Sequence, residues 1–304
     1  MPSDLRAVIF MLISTFSLSL NGLMGKVLSQ SFSTDVLGFL RFFLPALIML
    51  GILAYQGWAF PTRDTARPII IRALCVVGSQ MCFLYALTTL TLVESVVLFS
   101  TGPLFIPVLE KLLYRTPLKG ITLFCLGMTF CGVILQAGGT GDIAMRPELL
   151  TGLAAGLFNA LSQVTLFKGA KSGLPPAAVN GWCFLLAALI IAPFASLTVS
   201  QQGDLMLPDA PLTTAAIITG VTVLALSIAS TQMFRVMAYK LAHSGSQLSP
   251  LIFTNLVFAF IWQISFFNDT LSQTKILGIG LIVLATLINT FVPRWQAKQT
   301  QRMA

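Results

Sequence analysis

The sequence predicts an all-α integral membrane protein whose ten transmembrane helices form two inverted five-helix repeats around a central cavity. Three observations support this fold class: the composition, the spacing of turn-forming residues, and a pattern that recurs in both halves of the chain. Hydrophobic residues occupy 56% of the 304 positions and charged residues only 9%. Soluble proteins carry about 25% charged residues. So few charges cannot cover a water-exposed surface, and most of the surface must therefore face lipid.

Turn-forming residues divide the chain into ten apolar segments. A spanning helix needs about 20 mostly apolar residues, and clusters such as Pro61–Asp64 and Ser172–Pro176 separate segments of that length. The first segment continues into further apolar segments, so we expect an uncleaved span and not a signal peptide. The predicted spans are residues 7–28, 35–55, 68–89, 92–113, 118–138, 149–169, 176–198, 212–241, 245–267 and 274–292.

The basic residues lie mainly on one side of these segments. Cytoplasmic loops of membrane proteins carry an excess of Lys and Arg, so the richer side is predicted to be cytoplasmic and to hold both termini, in a bacterial inner membrane. The net charge of +8 then reflects topology and contact with membrane lipids, and no nucleic-acid partner is expected. The poorer side has Lys26, Arg146 and Lys275, and the richer side has Arg6, Arg63, Arg67, Arg72, Lys111, Arg115, Lys119, Lys168, Lys171, Lys240, Arg294, Lys298 and Arg302.

Neither the cysteines nor the histidine suggest a reactive or metal site. All five cysteines lie inside apolar segments without the spacing of metal ligands or of a disulfide framework, and His243 is the only histidine. The glycine-rich segment Gly138–Gly141 lacks the Lys and the Ser or Thr that complete a nucleotide-binding loop. We therefore expect no metal, no cofactor and no enzymatic activity.

An internal repeat is visible in the sequence. The segment Ser79–Met81 recurs as Thr231–Met233, 152 positions later, whereas in the first span of each half the offset is 142 and places Asn21 on Gln163. Because five spans per repeat is an odd number, the two halves must have opposite orientation. Inverted repeats of this kind are typical of secondary transporters, whose substrates bind near the midplane between the repeats.

The predicted repeats cover residues 1–140 and 141–304. Their symmetry is predicted to fail at Arg41, whose counterpart is taken to be Trp182, and at Pro103, whose counterpart is Asn255. Such mismatches are where we expect substrate selectivity, because an unmodified repeat would present the same chemistry twice.

Several segments resemble the drug/metabolite transporter superfamily, and in particular its EamA-type, ten-span branch. They are Phe39–Phe43, Tyr85–Leu87, Gly102–Phe105 and Phe234–Tyr239. The resemblance implies that spans 1–4 and 6–9 surround a cavity while spans 5 and 10 are peripheral. It also implies transport of small metabolites such as amino acids, often outward.

The chain departs from this family pattern in one respect. Members usually carry a glutamate just after spans four and nine, where this sequence has Thr116 and Asn268. The neighbouring Arg115 and Asp269 are charged residues that could substitute electrostatically.

Polar side chains inside the spans are the candidates for substrate contact. Polar groups are costly in hydrocarbon, so they are expected to face the bundle interior; hydrogen bonding between helices is the alternative role. Arg41 either reaches the membrane interface or anchors a substrate carboxylate. The candidates are Asn21, Arg41, Gln80, Tyr85, Glu94, Asn159, Gln163, Trp182, Thr231, Gln232, Arg235, Tyr239, Gln247, Asn255 and Trp262.

Two acids and three prolines are candidates for other roles. Glu94 is placed to cap a helix N-terminus or to bind a substrate ammonium group, and Glu110 is placed to pair with its neighbour Lys111; both are candidates for proton coupling. Pro103, Pro107 and Pro250 interrupt spans four and nine. Because each proline removes a backbone donor, we expect these spans to bend and gate access.

The sequence thus predicts a secondary carrier of a small polar metabolite, an amino acid or derivative, working by alternating access as an exporter. The alternative is an uptake carrier for a nucleoside-type metabolite such as S-adenosylmethionine, and a remote alternative is a lipid-modifying or lipid-scrambling membrane protein. The expected partners are the solute, membrane lipids and a coupling proton, with the chain as a monomer or a homodimer.

Overall fold

The regular structure of the described chain consists of α-helices. The structure, a computed structural model, describes residues 3–102, 104–105, 108–109, 112, 120–136, 147–170, 173–207, 212–241, 251, 254–267, 273–274, 276–285 and 287–288. The predicted gating residues Pro103, Pro107 and Pro250 lie outside the described residues, as do the candidates Glu110 and Gln247.

Most helices follow the predicted spans closely, but α4 ends at Phe99 although its predicted span continues to 113. Six of them, α1–α3 and α6–α8, are long and apolar enough to cross a membrane, and the described parts of α4, α5, α9 and α10 are shorter. The bounds are α1 Ser3–Leu28, α2 Thr34–Gln56, α3 Arg63–Thr89, α4 Leu92–Phe99, α5 Gly120–Gln136, α6 Pro147–Ala170, α7 Pro176–Gln202, α8 Thr214–Leu241, α9 Thr254–Phe266 and α10 Ile276–Ala285.

Helix α3 begins at Arg63, five residues before the predicted start at 68. Thr62 has the extended backbone of a residue that precedes a helix, and Pro68 lies inside the helix, where its missing N–H removes one intrahelical hydrogen bond without ending the helix. Arg72 is consequently more than two turns inside the helix and only 2% exposed. Its assignment to the charged membrane surface was therefore wrong.

The packing of the helices has approximate two-fold symmetry. The three most extensive pairings are α1 with α8, α3 with α6, and α2 with α7, and each joins one repeat to the other. When each helix is exchanged for its counterpart in the other repeat, the pairing of α1 with α8 becomes that of α6 with α3. The pairing of α2 with α7 is then unchanged. The weaker pairings of α1 with α9 and of α4 with α6 exchange in the same way. These contacts agree with the predicted inverted repeats.

Hydrogen bonds between the repeats reinforce the two equivalent pairings. Ser14 Oγ donates to the backbone oxygen of Thr231 at 2.9 Å, joining α1 to α8. Ser79 Oγ donates to the backbone oxygen of Ala155 at 2.9 Å, joining α3 to α6. Below, the end of the bundle at which α1 begins is called the proximal end, and the opposite end is called the distal end.

Helices α4 and α6 approach each other most closely at Gly156. A Cβ at this position would lie 2.6 Å from Thr101 Oγ1 and 2.9 Å from the backbone oxygen of Leu98. Glycine removes this clash, as small residues commonly do between membrane helices. The short helix α4 is thereby held against the second repeat.

The register between α2 and α7 corrects one predicted counterpart. The helices begin at Thr34 and at Pro176, which is an offset of 142. The same offset relates Phe42 to Phe184, and their rings meet edge to face with centroids 5.7 Å apart. The repeat counterpart of Arg41 is therefore Cys183 and not Trp182.

Candidate functional site

A polar cavity lies at the centre of the bundle, between the two repeats. Its volume is about 30 Å³, which is room for about two water molecules. Seven helices contribute to its wall: α1, α2, α3 and α4 from the first repeat and α6, α7 and α8 from the second. The lining residues are Leu18, Asn21, Arg41, Phe42, Val76, Ser79, Gln80, Phe99, Asn159, Ser162, Gln163, Phe184, Ile228, Gln232 and Arg235.

Much of this wall consists of residues related by the repeat. At an offset of 142, Asn21 corresponds to Gln163 and Phe42 to Phe184; at an offset of 152, Val76 corresponds to Ile228 and Gln80 to Gln232. All eight line the cavity. Both arginines of the wall break this symmetry, because Arg41 corresponds to Cys183 and Arg235 to Phe83.

Arg41 is held at the cavity by one side-chain hydrogen bond. Its Nη2 atom donates to Gln80 Oε1 at 2.7 Å, and only 1% of the residue is exposed. Its Nε and Nη1 atoms are buried and have no hydrogen-bond partner among the described residues. The guanidinium therefore keeps donors available beside the cavity.

Arg235 approaches the cavity from α8 in the second repeat. It is 5% exposed, and its buried Nε atom has no partner in the described part of the chain. Tyr239, one turn further along α8, and Arg72 both interact with it electrostatically. A buried charge without a counter-ion carries a large desolvation penalty, so Arg235 is a strong candidate for contact with an anionic ligand.

Arg72 lies behind the cavity wall and supports it. Its Nη2 atom donates to Gln232 Oε1 at 3.0 Å, across the interface between the repeats. Asn180 Nδ2 donates to the backbone oxygen of the same glutamine at 3.2 Å. Gln80 and Gln232, a repeat pair, therefore each accept a hydrogen bond from a buried arginine.

The amide side chains of α1 and α6 add acceptors to the cavity. Gln163 Nε2 contacts Asn159 Oδ1 at 3.4 Å within α6. Asn21 Oδ1 and Gln163 Oε1, which are repeat counterparts, are both buried without a hydrogen-bond partner among the residues described here. Each is available to a donor group on a ligand or to water.

The two-repeat architecture agrees with a sequence comparison. The sequence profile of the EamA-like transporter family matches the chain in two segments, residues 5–137 and 146–291. The chain belongs to the EamA-like transporter family. It is therefore a multi-pass membrane transporter of the drug/metabolite transporter superfamily, and the resemblance noted in its sequence is confirmed.

Other comparisons bear on the fold of this EamA-like transporter. None of the curated proteins matches it in sequence. Among 29 matching chains of solved structures, one described as "Crystal structure of protein" superposes with a TM-score of 0.59 at 18% identity, over 95% of this chain and 98% of that chain. At that identity the similarity shows the shared fold alone.

The EamA-like fold brings together about half of the candidate residues predicted from the sequence. The candidates that line the cavity are Asn21, Arg41, Gln80, Asn159, Gln163, Gln232 and Arg235. Arg72 and Asn180, which sequence reasoning did not select, join this group through Gln232. A charged residue inside an apolar segment is the sequence feature that could have identified Arg72. It was overlooked because the predicted start of α3 at residue 68 put Arg72 near a helix end.

The other described candidates lie elsewhere in this transporter. Thr231 bonds to α1 through Ser14, and Trp262 Nε1 donates to Ser19 Oγ at 3.1 Å. Asn255 is buried on α9 away from the cavity, and its Oδ1 atom has no partner among the described residues. Tyr85 is 44% exposed.

Trp182 belongs to an aromatic group at the proximal end of the bundle. Its Nε1 atom donates to the backbone oxygen of Ala59 at 3.0 Å, and its ring lies 5.4 Å from that of Phe60 and 6.3 Å from that of Trp58. Aromatic rings with one polar edge are typical of the interface between membrane and water.

Glu94 occupies the N-terminus of α4, where it forms a capping box with Thr91. Its Oε2 atom accepts hydrogen bonds from the backbone N–H and from Oγ1 of Thr91, both at 2.9 Å, while Thr91 Oγ1 accepts from the backbone N–H of Glu94 at 3.2 Å. This arrangement satisfies donors at a helix start. The carboxylate of Glu94 is thus engaged at the start of α4, and Glu94 does not line the cavity.

The chemistry of the cavity suits binding better than catalysis. Its polar groups are amides, hydroxyls and guanidiniums, and no cysteine, histidine or carboxylate lines it among the described residues. That part of the chain also holds no group of three potential metal ligands. The arrangement offers donors for an anion and amide oxygens for a donor group, which together can orient a small polar solute.

Proposed function

We propose that the protein is a secondary active carrier of a small polar metabolite with a carboxylate, an amino acid or a derivative, and that it works by alternating access. The observation that carries this proposal is the polar cavity between the two repeats. A buried site of this kind, shared by two oppositely oriented halves, can be exposed to either side of a membrane by rocking one half against the other.

The charge of the cavity supports this carrier over the alternatives. Two buried arginines beside the cavity favour an anionic group and oppose a cation such as S-adenosylmethionine. Glu94, the residue expected to bind a substrate ammonium group, does not line the cavity and is engaged in a capping box. A lipid-modifying enzyme would require reactive groups at the membrane surface, which the described cavity does not provide.

The proposal includes an orientation and a direction. The proximal end holds Arg63, Arg67 and Lys240, all exposed, so it is proposed to be cytoplasmic even after Arg72 is removed from the count. Both termini then face the cytoplasm of a bacterial inner membrane, and net movement is outward. A proton gradient is the proposed driving force, with Glu110 as the proposed coupling group, because the carboxylate of Glu94 is engaged in a capping box.

Counterflow in liposomes tests the carrier proposal directly. Full-length protein would be reconstituted into liposomes loaded with one unlabelled amino acid or metabolite, and entry of the labelled solute measured over time. Saturable accumulation above protein-free liposomes is expected for a carrier. Arg41→Gln should reduce it, whereas Arg67→Gln, an exposed arginine outside the cavity, should not. Movement of lipid without saturable flux of any solute would contradict the proposal.

A further inference from the structure

The polar residues of the cavity form two layers along the bundle, and the first lies toward the distal end. Asn21 lies seven residues before the end of α1 at Leu28, and Arg41 lies seven residues after the start of α2 at Thr34. Gln80 lies nine residues before the distal end of α3. At a rise of 1.5 Å per residue, their backbones are about 10–14 Å from that end.

The second layer lies toward the proximal end. Gln163 is seven residues before the end of α6. Gln232 and Arg235 are nine and six residues before the end of α8 at Leu241. Their backbones are about 9–14 Å from the proximal end. Each layer thus contains one arginine of the cavity wall and two amides, one from each repeat pair.

The two layers are separated along the direction of transport. Helix α2 has 23 residues, or about 34 Å, which leaves about 10–15 Å between the backbone levels of Arg41 and Arg235. The guanidinium of Arg41 lies beside Gly25, toward the distal end, and both arginines line the same cavity. Two positive groups therefore face one binding space from opposite ends.

The positive charge of the cavity is not balanced by the described protein. Arg41 and Arg235 line the cavity, and no described carboxylate lines its wall. Arg72 adds a third buried guanidinium behind Gln232. Burying charges without partners is strongly unfavourable. A bound ligand is therefore expected to supply the compensating negative charge.

We infer that the natural solute carries two anionic groups, one bound at Arg41 in the distal layer and the other at Arg235 in the proximal layer. This inference rests on the proposed carrier function and narrows its substrate class. The solute is a small compound with two carboxylates, or with one carboxylate and one phosphate, at opposite ends. Arg72 is a positioning residue, because it holds Gln232 and raises the positive potential of the proximal layer without lining the cavity.

Matched pairs of probes test this inference on purified full-length protein. L-Glutamate and L-glutamine, or glutarate and glutaramate, have nearly the same size but differ by one anionic group; 3-phosphoglycerate and glycerate test the phosphate. Binding would be measured by calorimetry and by competition in liposome counterflow. One doubly anionic probe is expected to bind about 10- to 100-fold more tightly than its partner, the ratio expected for one charge-assisted hydrogen-bonding group. The pair that shows the ratio identifies the second group as carboxylate or phosphate.

Variants locate the two binding points. Arg41→Gln and Arg235→Gln should each bring the ratio toward one, because each leaves a single anion-binding point. Arg41→Lys and Arg235→Lys should keep part of it. Arg67→Gln, on the exposed face of α3, should keep all of it. Elution as a single species in size-exclusion chromatography and an unfolding midpoint near that of the native protein would show that each variant is folded.

Several results would overturn the inference. One is equal affinity for both members of every pair, and another is an unchanged ratio in both glutamine variants. Saturable counterflow of neutral or cationic solutes without a preference for two anionic groups would contradict this inference but leave the carrier proposal standing. Saturable flux of no solute at all would contradict both.

Discussion

Gly25 lies directly against the guanidinium group of Arg41: a Cβ at position 25 would come within 2.5 Å of Arg41 Nη1. The glycine on α1 therefore leaves the space into which the arginine of α2 extends. Because Arg41 reaches Gln80 from this position, the placement of the guanidinium depends on a missing side chain on a neighbouring helix.

Gly25→Ala is accordingly expected to displace Arg41 and to weaken solute binding about as much as Arg41→Gln does. Alanine itself favours a helix over glycine by about 1 kcal/mol, so lost function would come from the clash and not from helix propensity. Gly22→Ala is the matched control, since a Cβ there meets only ordinary contacts of 3.5 Å with Leu92 and 3.7 Å with Val96. Counterflow of both variants tests this; equal activity would contradict the proposed role of Gly25.

Arg235→Met is expected to stabilise the ligand-free protein while weakening ligand binding. The arginine is 5% exposed and its Nε has no partner among the described residues, so removing it relieves an uncompensated buried charge. Apolar replacement of a buried ion pair has stabilised proteins by about 1–4 kcal/mol, and an unpaired buried charge is more costly still. The apparent unfolding midpoint in detergent should rise, with Arg67→Met as control. A lower midpoint would indicate a structural arginine.

Thr91→Ala is expected to lower stability without changing solute affinity. Thr91 and Glu94 form the capping box of α4, and loss of an N-terminal cap typically costs about 1 kcal/mol.

Glu94→Gln retains a side-chain oxygen that can accept these hydrogen bonds, so it should keep transport driven by a proton gradient. If Glu94→Gln abolished that dependence but preserved counterflow, Glu94 would instead be the coupling group.

The two halves of the chain are expected to assemble when they are produced as separate polypeptides. Residues 1–140 and 141–304 contribute opposite sides of all three major helix pairings, so each half alone exposes surfaces that the other normally covers. Co-expression of a tagged first half with an untagged second half should give co-purification. Recovery of either half alone as a stable monomer would contradict this expectation.

The fold was predictable because its signals are local. Apolar runs and turn-forming residues placed most boundaries of the described helices within a few residues. The exceptions are the start of α3 and the end of α4, which lies at Phe99 although the predicted span continued to 113. The repeat was also recognisable, since Gln80 and Gln232 share their neighbours. The interpretation of Arg72 failed because a charge near a predicted helix end is normally solvated. Only the longer helix shows that it is buried.

The candidate site was predictable in part. Polar residues at midspan, such as Asn21 and Gln163, indeed face the cavity. Helical spacing alone could not separate Thr231, which faces α1, from its neighbour Gln232, which faces the cavity, because that choice depends on which helices surround α8. Nor could spacing reveal that Gly25 makes room for Arg41, since that contact joins two helices.

The pairing of helices across the repeats has a consequence for the origin of the protein. The most extensive contacts of α1, α2 and α3 are with α8, α7 and α6, so a gene encoding a single repeat would yield a subunit without a complete core. Such an ancestor would have been stable only as an antiparallel homodimer, inserted in both orientations. Duplication and fusion of such a gene would fix one copy in each orientation, and an arginine could then be acquired by one half without appearing in the other.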